Sequence, residues 1–171
     1  MCDLCDPDRP SMDEHLEQVR GLLGTQRFAV QAVSGSTSES EFSYTVGLTA
    51  HGLHELIVLG LRQREAMAIL HCWGEYRLDD DVVLPGETLE SGPFLLEAVE
   101  VERPEDHLVV ATALFGPSVR ALQLAWADSR GRWPWEAGHR GRRAGQPVLG
   151  VPTPHYCQDH RPDRLDLPPH P

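Results

Sequence analysis

The two ends of the chain carry matching metal-ligand spacings. Two residues separate Cys2 from Cys5 near the start, and two residues separate Cys157 from His160 near the end. This spacing lets one turn present two ligands to one ion, and three thiolates with one imidazole form a closed tetrahedral zinc site. If both pairs bind the same ion, zinc ties the N-terminus to the C-terminus, with His155 as a reserve ligand. The sequence therefore predicts a structural zinc site.

A redox use of the first cysteine pair is the alternative. Redox Cys-x-x-Cys motifs sit at a helix N-terminus after a strand, where the helix lowers a thiol pKa. Cys2 and Cys5 lie a few residues ahead of a predicted helix, but no strand precedes them. The spacing therefore favours zinc over redox chemistry.

Size and charge limit the class of protein. The chain has 171 residues, enough for one domain with a sizeable core. No apolar run approaches the roughly 20 residues that span a bilayer, and no secretory signal opens the chain, so we expect a cytoplasmic protein without a membrane partner. The net charge of −11 disfavours nucleic-acid binding, because phosphate contacts need clustered cations. The sequence leaves a homodimer open.

The first half of the chain predicts a helix, three strands and a second helix. Ser11 and Glu14 form a capping box before apolar residues at helical spacing, with a stop at Gly24. Residues 27–33 and 42–48 alternate like half-buried strands, and Tyr44 is expected in the core with its hydroxyl tied to a partner. Residues 55–61 are continuously apolar, as in a strand buried on both faces, and a short amphipathic helix containing residues 66–73 follows.

The second half predicts mainly strands. The candidates are residues 76–78, 82–84, 93–101, 107–115 and 119–127. From Gly138 onward the chain is rich in Gly, Pro and Arg without apolar periodicity, which indicates an extended wrap. We therefore expect one globular domain over residues 1–150 and a C-terminal arm over residues 151–171 that metal pins down.

Several segments resemble a bacterial family of unknown function, the domain-of-unknown-function family 4262. The resemblance covers roughly residues 1 to 150 and brings no established activity. The matching segments are Tyr44-Thr45-Val46-Gly47-Leu48, His51-Gly52, Glu55-Leu56, Ala121-Leu122-Gln123, Trp126-Ala127-Asp128, Gly131-Arg132-Trp133-Pro134-Trp135 and Gln146-Pro147-Val148-Leu149-Gly150.

The order of elements is also similar, more loosely, to the split β-barrel of flavin reductases. We therefore predict an α+β fold with a mostly antiparallel, barrel-like sheet, two or more helices and an extended C-terminal arm. The analogy implies FMN or another flavin as a cofactor. Small residues on the strand face of Ser43, Thr45 and Gly47 would permit close approach of a flat ring, although helix packing over the sheet explains them slightly better.

Three of the four tryptophans lie within ten residues, which predicts either a pocket for a planar ligand or a plug at one end of a barrel. Trp126, Trp133 and Trp135 are the tryptophans of this segment, and Gln123 inside the preceding apolar stretch needs a partner if it is buried. These residues complete the predicted flavin-binding set. Weak catalytic candidates are His51 as a general base with Glu55 to orient it, and Asp128. A solvated turn at His51 and His54 is the simpler interpretation.

The sequence does not reveal a reaction. The leading prediction is a small protein with a structural zinc site that binds a small ligand or a protein partner. The alternative is a flavin-dependent oxidoreductase, and whether the chain is an enzyme stays open.

Overall fold

The structure is a computed structural model, and it describes residues 11–34, 41–79, 83–139 and 145–153. These residues form three α-helices and six β-strands. The helices are α1 (Met12–Leu23), α2 (Gln63–Asp79) and α3 (Val109–Phe115). The strands are β1 (Ala29–Val33), β2 (Phe42–Val46), β3 (Glu55–Leu59), β4 (Thr88–Ser91), β5 (Phe94–Glu100) and β6 (Ala121–Trp126). No helix in these ranges is long and apolar enough to cross a membrane.

The six strands make one sheet in the order β1-β2-β3-β6-β5-β4. All neighbouring strands are antiparallel except β3 and β6, which run parallel at the centre with Glu55 opposite Ala121 and Ile57 opposite Gln123. The α+β class, the mostly antiparallel sheet and the presence of several helices are therefore confirmed.

The predicted barrel is wrong, because the sheet stays open with β1 and β4 at its edges. Helices cover both faces instead. On one face α2 buries Ile69 and Leu70 against Leu56 and Leu124, and on the other α1 and α3 bury Val19 and other apolar residues against Ile57 and Val46 of the sheet. A sheet covered on both faces has no need to close on itself in order to bury its apolar side chains.

Two segments predicted as strands are helical. Residues 76–78 continue α2 to Asp79, and most of 107–115 forms α3, where Val110 is buried and Leu114 packs against the same core. The spacing of four between these two residues is that of a helix face. Tertiary packing thus overrides the β-branched composition of this short segment.

Other predictions from the pattern are confirmed. The capping box is present, with Glu14 N–H donating to Ser11 Oγ and Ser11 N–H donating to Glu14 Oε2. All five residues of β3 are buried, as expected for a strand covered on both faces, and residues 121–126 form the strand predicted over 119–127. Val151–Thr153, the only described part of the predicted arm, contains neither helix nor strand.

Candidate functional site

A cavity of about 610 Å³ opens between α1, the β1–β2 edge of the sheet and the start of α3. Phe42 and Tyr44 form its aromatic wall, with ring centroids 6.1 Å apart and planes inclined by 22°. Met12 and Val109 line it with exposed apolar side chains, although most large apolar residues of the described chain are buried. A concave site of this volume is typical of small-molecule binding.

Polar side chains are distributed around this cavity, and most of them have partners. His15 Nε2 lies 2.8 Å from Gln31 Oε1, which joins α1 to β1. Tyr44 Oη accepts a hydrogen bond from Val110 N–H at 3.2 Å, which confirms that this buried tyrosine ties its hydroxyl to a partner. Burial raises the pKa of Tyr44, so its phenol keeps its proton at neutral pH.

Asp106, the one carboxylate among the described residues of the cavity wall, is engaged by a cation. Asp106 Oδ1 accepts from Arg103 Nη2 at 3.1 Å, and Asp106 Oδ2 lies 3.1 Å from Arg103 Nε. The neighbouring residue, His107, also lines the cavity. The wall thus combines an aromatic surface, two imidazoles and a compensated acid.

Sequence reasoning identified Tyr44 but missed the cavity. His15 and Gln31 lie on different elements, and neither belongs to a motif. The only local signal is a histidine on the first helix and a glutamine inside a strand, each of which is ordinary on a surface. Their meeting depends on how α1 packs against β1, which periodicity does not specify.

Glu55, predicted as a catalytic candidate, is fully buried and holds a turn together. Its Oε2 accepts from Thr45 Oγ1 at 2.6 Å, and its Oε1 accepts from Gly47 N–H at 2.9 Å and from the N–H and hydroxyl of Thr49 at 2.9 and 2.8 Å. Gly47 has a φ of 122°, which a side chain would disfavour, and a Cβ there would lie 3.1 Å from Phe28 Cα. The carboxylate therefore satisfies backbone donors that the turn leaves free.

The two histidines of the same turn do not meet Glu55. His51 is exposed, and its Nε2 lies 3.3 Å from the carbonyl oxygen of Arg27. Burial lowers the pKa of His54, and the positive charges of Arg120 and Arg77 lower it further, while Glu100 acts in the opposite direction. The use of His51 and Glu55 in catalysis stays a prediction.

Arg77 brings a positive charge beneath this turn. The residue is 4% exposed, and its Nη1 donates to the carbonyl oxygen of His54 at 2.7 Å. Burial lowers the pKa of Arg77, and the negative charge of Glu55 opposes that change. The buried acid and the buried base thus partly compensate each other's charge.

Asp128, the third catalytic candidate, organises the loop after β6. Its Oδ1 accepts from the backbone N–H groups of Arg130 and Arg132 at 2.8 and 3.0 Å, and its Oδ2 accepts from Arg132 Nη2 at 3.0 Å. Beyond this loop, Trp133 and Trp135 stack with ring centroids 5.5 Å apart. A catalytic role for Asp128 stays a prediction.

The predicted flavin-binding residues are divided between the two faces of the sheet. Trp126 belongs to the core beneath α2, and Ser43, which pairs with Val58 of that same core, lines a cavity of only about 30 Å³. Thr45 is buried and bonded to Glu55. Gln123 alternates with Leu122 and Leu124 and therefore points to the opposite face. The sheet thus separates Gln123 from Ser43, Thr45 and Trp126, and a flavin site at these residues stays a prediction.

Gln123 and Gln146 attach the segment 145–150 to the sheet. Gln123 Nε2 donates to the carbonyl of Pro147, and its Oε1 accepts from Leu149 N–H, both at 2.8 Å. The amide of Gln146 accepts from Trp126 N–H at 2.8 Å and donates to the Trp126 carbonyl at 2.9 Å. Gln123 therefore has the backbone partner that its burial requires.

All predicted zinc ligands lie outside the described residues. They are Cys2, Cys5, His155, Cys157 and His160. Within the described ranges, no group of three or more His, Cys, Asp or Glu side chains is arranged to hold a metal ion. Zinc binding thus rests on the sequence spacing alone.

The described residues form a small α+β domain with an open six-stranded sheet and a cavity beside its β1–β2 edge. The family model described as a domain of unknown function (DUF4262) matches residues 23–140, and the chain belongs to this family. No curated protein matches the chain, and no solved structure matches it. The predicted zinc ligands at both ends lie outside the matched residues.

Proposed function

We propose that this chain is a small-molecule-binding domain whose site is the cavity between α1, the β1–β2 edge and α3. The volume of about 610 Å³ carries this proposal, because it falls within the range of sites for drug-sized ligands. The aromatic wall of Phe42 and Tyr44 supplies apolar contact area. Polar groups at the rim can orient a bound ligand through hydrogen bonds, as a selective site requires.

A matched pair of variants tests the location. Val109→Trp places a large ring at the cavity wall, where the native valine is 47% exposed. Val151→Trp makes the same change at a valine that is 74% exposed and does not line the cavity. Binding is measured by the shifts of amide resonances in two-dimensional NMR. The ligands are aromatic fragments that carry an anionic, a neutral or a cationic group.

We expect fragment-induced shifts at residues of the cavity wall in the native chain and in Val151→Trp, and none in Val109→Trp. Shifts that persist in Val109→Trp would place the site elsewhere. Absence of shifts for every fragment in the native chain would contradict small-molecule binding at this cavity and would favour a protein partner.

A flavin is the second candidate ligand. The cavity volume and its aromatic wall suit a planar ring system. These features support FMN binding in this cavity rather than at the residues predicted from the sequence. FMN therefore belongs in the fragment panel. Quenching of its fluorescence by the native chain and not by Val109→Trp would support the oxidoreductase alternative, and unchanged fluorescence at high micromolar protein would remove it.

We also propose a structural zinc ion held by Cys2, Cys5, Cys157 and His160, with His155 as the reserve ligand. Its support is the paired spacing at the two ends. Native mass spectrometry is expected to show one zinc ion per chain, and Cys5→Ser is expected to release it and lower the melting temperature. Cys72→Ser changes a cysteine of α2 outside the proposed set and serves as the control. Equal zinc content in both variants would contradict the site.

A further inference from the structure

Resting on the proposed function, we infer that the cavity binds an organic anion, an aromatic or other apolar carboxylate, rather than a neutral or cationic molecule. The inference comes from the hydrogen-bonding capacity that the cavity wall has left over. The inference concerns the ligand class of this site and does not depend on whether zinc binds.

Three oxygen-bearing side chains of the wall, those of Gln31, Tyr44 and Asp106, already have hydrogen-bond partners. An amide oxygen only accepts, so the contact between Gln31 Oε1 and His15 Nε2 requires the hydrogen to lie on the histidine nitrogen. Tyr44 Oη accepts from Val110 N–H. Both oxygens of the Asp106 carboxylate face the guanidinium of Arg103. A ligand that donates hydrogen bonds therefore finds these oxygens occupied.

The groups that remain on Gln31 and Tyr44 are donors. Gln31 Nε2 carries two hydrogens, and Tyr44 keeps its phenol proton because burial raises its pKa. In the part of the chain that the structure describes, neither group donates to another protein atom. His15 and His107 also line the cavity, and neither places a negative charge there. The wall thus offers hydrogen bonds to oxygen atoms supplied by a ligand.

The ion pair of Asp106 reduces the repulsion that an anion would meet. Among the described residues of the wall, Asp106 is the only carboxylate, and it lies against Arg103. This is notable in a chain whose net charge is −11. Hydrogen bonds to an ionised acceptor are roughly twice as strong as neutral ones, so a carboxylate gains more from these donors than an amide of the same shape.

Three probes with one phenyl ring test the inference, namely phenylacetate, phenylacetamide and 2-phenylethylamine. Titration of the full chain by NMR at pH 7 gives the dissociation constant of each. We expect phenylacetate to bind about tenfold more tightly than phenylacetamide, the ratio that one charge-assisted hydrogen bond supplies, and 2-phenylethylamine to bind most weakly.

A second pair of variants separates recognition from stability. Gln31→Glu keeps an oxygen for His15, removes the two amide hydrogens and adds a negative charge at the cavity wall. Gln26→Glu adds the same charge at an exposed position outside the cavity. We expect Gln31→Glu to weaken the binding of phenylacetate by about tenfold and to leave the affinity for phenylacetamide unchanged. We expect Gln26→Glu to change neither affinity.

The outcomes distinguish this inference from the proposed function. Equal or tighter binding of phenylacetamide or 2-phenylethylamine at the cavity overturns the anion preference and leaves small-molecule binding intact. An equal loss of affinity for phenylacetate and phenylacetamide in Gln31→Glu also overturns the anion preference. If none of the three probes shifts a cavity resonance, both the inference and the proposed function fail.

Discussion

At the scale of single residues, buried polar side chains explain the turn between β2 and β3. The sequence identified Glu55 as important and assigned it to chemistry, whereas its geometry shows four hydrogen bonds to the chain itself. A pattern shows that an acid lies between apolar residues, but the donors around it depend on the path of the backbone. Tyr44 was easier to predict, because a buried phenol almost always requires one partner.

Glu55→Gln tests this role. The new amide group would turn hydrogens toward Thr45 or toward the N–H groups of Gly47 and Thr49, which are themselves donors. We expect the free energy of unfolding, measured by urea denaturation, to fall by about 2–4 kcal/mol, because buried donors lose their partner. Glu102→Gln, at an exposed site, is the control and should change stability by less than about 0.5 kcal/mol.

His54 predicts a dependence of stability on pH. Its pKa is lowered in the folded chain from 6.5, so below that value the unfolded chain binds the proton more readily. The contribution of His54 is therefore fully present above pH 6.5 and is lost as the pH falls toward the folded pKa. In His54→Asn we expect a smaller loss of stability between pH 7.5 and 5.5 than in the native chain. If the free energy of unfolding changes with pH in the same way in both proteins, this expectation is contradicted.

At the scale of elements, local sequence patterns predicted the helices and strands in which those patterns are strong. The capping box predicted the start of α1, and the continuous apolar run predicted the buried strand β3, and both are confirmed. One failure was α3, whose seven residues contain too few turns for a helical period to appear. The segment 145–150 has no apolar period, so the sequence indicated only a tail or an extended wrap there. Its attachment relies on two glutamine amides, and such contacts leave no trace in the pattern of apolar residues.

Gln146→Leu tests the attachment of that segment. The substitution keeps the size of the side chain and leaves the N–H and carbonyl of Trp126 without their amide partner. We expect unfolding to become easier by about 2–4 kcal/mol, since two buried backbone groups lose their hydrogen bonds. Gln63→Leu on the exposed surface of α2 should have little effect. Faster amide exchange at Trp126 than in the native chain would locate the loss.

At the scale of the whole molecule, the sequence predicted the class of fold but not its closure. Whether a sheet closes depends on whether its edge strands meet, and the edges here are β1 and β4, from opposite ends of the described sheet. The prediction also assigned strands to parts of α2 and α3. It therefore lacked part of the helical cover on the faces of the open sheet. The cavity was missed for a related reason, because it forms where α1, β1 and α3 come together from distant parts of the chain.

Two shortened chains test how far the domain extends. A chain that ends at His139 lacks the partners of Gln123, of Trp126 and of Glu102, whose N–H donates to the Leu149 carbonyl. We expect it to be at least about 3 kcal/mol less stable than a chain that ends at Thr153, from the several buried hydrogen bonds lost. Both are measured with a chelator, so that metal contributes to neither. Equal stability would mean that the segment after His139 does not contribute to the stability of the domain.

The parallel contact of β3 with β6 divides the sheet into two halves. On one side β1, β2 and β3 follow one another along the chain, and on the other β4 and β5 form a hairpin that β6 joins. Neighbouring strands within each half are consecutive in the chain, whereas joining the halves brings Glu55 to Ala121 and must close a longer loop. Because late, non-local contacts slow folding, the rate at which this protein folds is expected to be set by the meeting of the two halves along that central line.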